Sequence, residues 1–447
     1  MTLDAMPEDD FFGDDTDPTS CVQNASNVAL LEKLIVDTKK DKRTGEDRYV
    51  IRPTSANVAT ILQHYEPWRG VIANDTFSGR IVATRTPPWH ELDAPDDARA
   101  GPWTDADTVR LTHLLARTRV AGCPPITVST KVVDAAILVA SDANKVHPVR
   151  SYLRGLRWDG TERLALLAHR YLGCEDTPVA RAIGECFMIG AVARVLSPGC
   201  KNDLCPIIEG PQGKKKSTFL ERLAHPWFSD TKIPIGEKDA FQQLPGKWIY
   251  ELSELASLSR SDLETTKAFI SSRVDRYRPS YGRHEVEMPR QTQFVGTTNA
   301  GQYLHDPTGG RRFPPLRIGE IDLSAVERDR DQLWAEATHR YDAGEAWWLD
   351  GRPDAAIVAP AAAAETEERF VRHPWEVPIA DHLKNPRRKA EGVTTEDLLG
   401  ACGVDTAHRT TSQAMTVGGI LARLGWERRR TMISGKRSYR YFPKEEA

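Results

Sequence analysis

No two of the seven cysteines (Cys21, Cys123, Cys174, Cys186, Cys200, Cys205 and Cys402) stand at CxxC spacing, and their number is odd. That argues against a zinc ribbon or a disulfide framework, and the expectation is a reduced, cytosolic chain. No apolar run approaches the length of a membrane span, and the first residues, MTLDAMPEDDFFGDD, are acidic where an export signal would be basic and then apolar. A soluble, unexported protein without membrane attachment is expected. Excess charge is also lacking: a formal net charge of -3 over 447 residues means that any nucleic-acid surface must come from local clustering. No internal repeat is visible, and the length implies two to four domains.

What is present divides into segments. Residues 1–26 carry Asp4, Glu8, Asp9, Asp10, Asp14, Asp15 and Asp17 with no basic residue before Lys33, the composition of an acidic disordered tail. Residues 27–103 read as a small α+β domain: NVALLEKLI as a helix, RYVIR as a strand, SANVATILQHY as a helix opened by a Ser cap, and VIANDTFSGRIVATR as two strands around a Ser-Gly turn. Residues 104–198 form a helical region that opens behind a Thr cap at WTDADTVRLTHLLAR. Between 199 and 352, apolar strands (LCPIIEG, KWIYELSE, RQTQFVGTTN, RRFPPLRI) alternate with helices, the pattern of a three-layer α/β core. An alanine-rich linker or solvated helix, 353–371, precedes a basic C-terminal domain, 372–447, in which an amphipathic helix leads into a hairpin around Ser434-Gly435. Helix plus wing is a common DNA-binding arrangement.

The chemistry concentrates in the α/β core. GPQGKKKS, residues 210–217, keeps the spacing GxxxxGK[ST], in which backbone N–H groups cradle phosphates, the lysine reaches the β/γ-phosphates and the hydroxyl meets Mg²⁺. Strand LCPIIEG precedes the loop and helix STFLERLA follows it. Gly210, Gly213, Lys216 and Ser217 fall in register, with Pro211, Gln212, Lys214 and Thr218 beside them. Lys215 stands where the pattern has its second glycine, and a side chain held at positive φ costs roughly 1–2 kcal/mol there. A carboxylate after a later strand is needed to hold the ion and orient water. Glu254 is the favoured candidate and Glu251 the second, and their spacing puts them on opposite strand faces, so one is expected to reach the site. Asn299, at the tip of FVGTTN, is a candidate γ-phosphate sensor, and Arg311 and Arg312 in GGRRF are candidates for a finger that reaches a neighbouring subunit's nucleotide.

Loop, acid, Asn299 and GGRRF in this order resemble a superfamily 3 helicase core of the AAA+ class. More narrowly, the chain resembles the virulence-associated E family of phage and mobile-element proteins. The match is carried by HPVRSYLRGLRWDGTERL, SPGCKNDLCPIIEGPQGKKKSTFL, WFSD, GKWIYELSELASL, KAFISSRVDRYRPSYGR and FVGTTNAGQYLHDPTGGRRFPPL. The resemblance implies a multidomain α/β fold with a P-loop AAA+ core and a winged-helix-like C-terminal domain. It also implies an ATP- and Mg²⁺-dependent helicase or translocase ring, usually six subunits, acting on DNA in the replication of a mobile element in the bacterial host's cytoplasm. Carried over, the family's lysine is Lys216, its metal hydroxyl Ser217, its acid Glu254, its sensor Asn299 and its finger Arg311 or Arg312.

VDRYRPSYGRHEVEMPR lies where such helicases carry the segment that reaches the central pore. Tyr281, Gly282 and Arg283 would sit at its hairpin tip against a single strand; Lys267 and Arg278 are placed in the same DNA-facing set, with the nucleotide or the next subunit as the other surfaces they could face; the alternative is that Asp275, Arg276 and Arg278 form an ion-pair network. The most basic stretch, with Arg423, Arg428, Arg429, Arg430, Lys436, Arg437, Arg440 and Lys444 among Trp426, Tyr439 and Tyr441, suits contact with a duplex backbone. No cluster of metal-binding carboxylates typical of a primase is evident, so priming would fall to another chain. Two rival functions share these motifs: a nucleotide-binding DNA adaptor or initiator that hydrolyses slowly, and an ATPase component of an interference system.

Overall fold

A computed structural model describes residues 25–40, 45, 47–88, 100–253, 260–279, 284–299, 312–369, 373–433 and 436–444. The chain forms two units, Met1–Gly155 and Leu156–Ala447. No helix among the described residues is long and apolar enough to cross a membrane.

In the first unit the expected strand pair Ile72–Asp75 and Arg80–Ala83 lies in a four-stranded sheet with Gly101–Pro102 and Lys145–Val146. Helix Ser55–His64 is capped by Thr54, whose hydroxyl accepts from the Asn57 amide at 3.2 Å, rather than by Ser55. The division expected at 103/104 does not appear. Helices Asp105–Leu115 and Thr130–Ala143 bury Leu111, Leu115, Val133 and Ile137 against Val58, Leu62 and Trp68, so the helical stretch completes the core of the α+β elements before it. The acidic segment 1–24 lies outside the described residues.

The second unit is built on a five-stranded sheet. In chain order the strands are Ile207–Glu209, Phe228–Ser229, Ile249–Leu252, Gln293–Thr298 and Pro315–Arg317, and across the sheet they run fifth, first, fourth, third, second. Every pairing is parallel. A parallel sheet is covered on both faces, which is why its strands read as short apolar runs without alternation. On one face Ile207, Tyr250 and Phe294 pack against Leu263, Phe269 and Ile270 of helix Arg260–Ser271. Elsewhere in the core Trp248 and Trp334 stack at 4.0 Å, and their indole N–H groups donate to the carbonyls of Ala191 and Leu223, which ties helices Pro178–Leu196, Lys216–Ala224 and Leu323–Asp342 to the sheet.

The segment expected as a linker contains helix Ala355–Glu368, with Val358, Ala362 and Thr366 buried along one face. Alanine composition suggests a linker, but the same small side chains permit close packing. Val358→Ala is expected to cost about 1–3 kcal/mol, whereas a solvated segment would lose almost nothing; urea denaturation distinguishes the two.

At the chain's end, helix Thr411–Arg423 and strands Trp426–Ile433 and Lys436–Pro443 enclose Val417, Leu421 and Trp426 with Ile379 and Leu398 of preceding helices. The backbone of Val393 pairs with Tyr441 and adds a further bridge to the hairpin. Ser434-Gly435 falls outside the described residues.

Candidate functional site

Strand periodicity and helix packing together assemble one polar cluster. The chain leaves the first strand of the parallel sheet toward one edge and leaves the fourth toward the other, although the two are neighbours. The crevice beyond their carboxyl ends is a topological switch point, where open α/β sheets bind ligands. Loop 210–215 follows the first strand and Asn299 follows the fourth.

Gly210 is clamped at the base of the loop. Its amide donates to the Thr298 carbonyl at 3.1 Å, and a β-carbon there would stand 2.5 Å from the Ile318 side chain. Gly213 lies at φ 83°. Lys215 adopts φ 61° and ψ 31°, the left-handed region that its place in the pattern demands, and directly precedes helix Lys216–Ala224. The unpaired first amides of that helix therefore face the loop. Lys215→Gly is expected to leave the fold intact and raise stability by no more than about 1.5 kcal/mol, because strain of roughly 1–2 kcal/mol is relieved against about 0.5–1 kcal/mol of glycine entropy. Lys215→Ala, which keeps the β-carbon, should recover none of it; thermal melts of the two variants make the comparison.

The Lys216 ammonium turns back into the loop, donating to the carbonyls of Gly210 (2.7 Å) and Pro211 (3.0 Å) and to Asn299 Oδ1 (2.7 Å). Burial holds its pKa below the ordinary lysine value, opposed by the nearby Glu251 carboxylate. Glu251, Val295 and Thr297 share a sheet face, since Val295 stands opposite Glu251 and residues two apart point the same way. Accordingly, Glu251 Oε1 accepts from Ser217 Oγ at 3.0 Å and from Thr297 Oγ1 at 2.5 Å. Glu251 is 3% exposed, and its other oxygen, Oε2, is buried with no hydrogen-bond partner. An orphaned carboxylate oxygen next to a serine hydroxyl is an oxygen donor set suited to Mg²⁺, which keeps several waters and takes only one or two protein ligands. Among the described residues no group of three or more His, Cys, Asp or Glu could hold a metal.

The remaining candidates divide. Glu254, Arg311, Tyr281 and Arg283 lie outside the described residues, as do the side chains of Lys436 and Arg437. Pro211, Gln212 and Lys215 are exposed along the loop, Thr218 lies in the first turn of its helix, and Lys214 pairs with Glu320. Arg312 is tied to Asp203 at 3.2 Å within its own chain. Lys267, expected to face DNA, is instead 5% exposed and bonded to Glu264 at 2.9 Å, because its helix packs that side against the sheet. Arg278 is exposed. Of the alternative ion-pair network, Asp275 pairs with fully buried Arg290 and Arg276 with Glu287 across the hairpin Val274–Tyr277/Val286–Pro289. In the C-terminal hairpin Arg428 and Arg430 are exposed, Arg428 lying 4.1 Å over the Tyr439 ring. Arg429 pairs with Glu427, Arg423 pairs with Glu376, and Arg440 donates to the carbonyls of Glu391 and Gly392. Thr297 was missed as a site residue; its place two residues before the sensor candidate, on the Glu251 face, was the available signal.

Fold and site define a parallel α/β domain with a phosphate-loop sequence at its switch point. Residues 153–367 match the family model described as the virulence-associated protein E-like domain. Among solved structures it is similar to the A form apo structure of the NrS-1 C-terminal region (305–718), at 12% identity and a TM-score of 0.42, covering 87% of this chain and 99% of that one. A second A form apo structure of the NrS-1 C-terminal region is 11% identical with a TM-score of 0.43, covering 83% and 96%. A search of the curated proteins finds no match.

Proposed function

We propose that this chain is an ATP- and Mg²⁺-dependent helicase or translocase of the superfamily 3 type, working as a homo-oligomeric ring, six subunits by expectation, on DNA during replication of a phage or mobile element in its host's cytoplasm. The carrying observation is the convergence of Lys216, Asn299, Ser217 and Glu251 around one left-handed loop. The family-model match of residues 153–367 and the parallel sheet's switch point support reading the domain as a P-loop AAA+ core.

In this reading loop amides and Lys216 hold the β- and γ-phosphates, and Asn299, already bonded to Lys216, follows the state of the γ-phosphate. Ser217 and Glu251 would hold Mg²⁺, which when bound neutralises phosphate charge. Glu251 or Glu254 orients the attacking water, and Arg311 or Arg312 serves a neighbouring subunit. The exposed Arg428 and Arg430 beside Tyr439 provide backbone contact to a duplex by a winged-helix-like domain, and Arg278 belongs to the strand-facing segment. Lys215 already occupies the conformation that a phosphate loop requires, which supports nucleotide binding in both this reading and the adaptor reading; turnover separates the two. The charge of Lys215 is then expected to tune nucleotide affinity, which Lys215→Gly tests. The whole proposal is tested by ATP turnover with and without single-stranded DNA; absence of DNA-stimulated turnover in the wild-type chain sinks it.

A further inference from the structure

Glu209 is the last residue of the first strand, immediately before the loop glycine, and is only 8% exposed. Its partner comes from 160 positions away: the Arg369 guanidinium, also 8% exposed, donates through Nε to Glu209 Oε2 at 3.0 Å. The same guanidinium donates through Nη1 to the carbonyl of Glu365 at 2.8 Å and to Glu368 Oε2 at 3.1 Å. Arg369 thus caps the C-terminal end of helix Ala355–Glu368, where a cation is favourable, and bolts it to the base of the loop. Other restraints on the loop and its base are backbone bonds, from Gly210 to Thr298 and from Ile318 to Glu209, the Lys216 ammonium on the Gly210 and Pro211 carbonyls, and the Lys214–Glu320 pair. The Arg369 pair differs from these in originating in the chain that continues into the C-terminal helices and hairpin, beyond the family-matched residues.

We infer that Arg369 is a positioning residue: through Glu209 it sets the conformation of the phosphate loop and couples nucleotide occupancy to the helix that leads into the C-terminal region. The inference rests on the loop binding nucleotide. Arginine is required because its planar fork serves Glu209 and the helix end together, which a lysine's point charge does not. Coupling is reciprocal: if the pair tunes the loop, a ligand in the loop must tighten the helix.

The test uses the full chain with a fluorescent ADP analogue, on wild type, Glu209→Gln, Arg369→Lys and the double variant. Each single variant is expected to weaken binding about five-fold or more, and the double variant no more than either single, because both remove one interaction. In wild type the nucleotide should slow amide exchange in helix Ala355–Glu368, and in Glu209→Gln it should not. Wild-type affinity in both single variants, additive losses in the double, or nucleotide-dependent protection that survives in Glu209→Gln overturns the inference even if the variants melt lower, because a purely structural pair would do only that. A wild-type chain that binds no nucleotide overturns the proposed function itself, and the inference with it.

Discussion

Lys216→Ala is expected to reduce DNA-stimulated ATP turnover by about 10²–10³-fold, the cost of removing one preorganised electrostatic donor from a transferring phosphoryl group. The ammonium bridges the loop carbonyls of Gly210 and Pro211 to Asn299, so its loss removes the link to the sensor candidate and, on the proposed reading, the contact to the phosphates. Stability should change little by comparison. The buried ammonium is held below the usual lysine pKa, which means that the folded protein already carries a penalty for its charge, and alanine relieves that penalty while forfeiting three hydrogen bonds. The measurement is steady-state turnover beside a thermal melt. Turnover retained in Lys216→Ala would assign the activity to another site, whereas loss of turnover together with the folded state would make the variant uninformative and call for Lys216→Met, which keeps the stem of the side chain.

Four of the five parallel strands were legible because burial on both faces forces apolar composition, and LCPIIEG, KWIYELSE, RQTQFVGTTN and RRFPPLRI each contain one of them; the two-residue edge strand Phe228–Ser229 is too short to show such a run. Lys215 was legible for a related reason: the spacing of the loop prescribes a backbone conformation whatever the side chain, and φ 61° follows. What failed depended on partners distant in sequence. Periodicity puts Glu251 and Glu254 on opposite faces of a regular strand but does not say which of them meets Ser217; Glu251 makes that contact through the docking of helix Lys216–Ala224, and Glu254 lies outside the described residues. Lys267 reads as a free cation until the packing of its helix buries it beside Glu264. The helices after residue 104 look like a region of their own until Leu111 and Val133 are seen filling the core begun by Val58. The pairing of Arg369 with Glu209 carries no local signal, since its partner lies 160 positions away.

Glu251→Gln carries the second large effect, and comparison with Glu254→Gln gives it resolving power. The amide replaces the carboxylate at nearly constant volume, and its oxygen still accepts from Ser217 and Thr297. What disappears is the negative charge, and what appears is an NH₂ group where Oε2 now stands buried without a partner. If that oxygen serves Mg²⁺, an amide donor pointed at the ion repels it, and turnover should fall about 10²–10³-fold while metal-free binding of ADP persists. Removing the negative charge that raises the Lys216 pKa should also leave the lysine more weakly charged at high pH, so ADP affinity in the variant should decline at lower pH than in wild type. The two glutamates then separate by Mg²⁺ dependence. A residue that holds the ion shifts the Mg²⁺ concentration needed for half-maximal turnover, and one that only orients water lowers the maximal rate without moving that concentration. On the proposed reading Glu251, whose Oε2 is buried without a partner, is expected to show the first behaviour. An unchanged Mg²⁺ requirement in Glu251→Gln, with the shift found in Glu254→Gln instead, would transfer the metal role to Glu254 and leave Glu251 as a buried hydrogen-bond acceptor for Ser217 and Thr297.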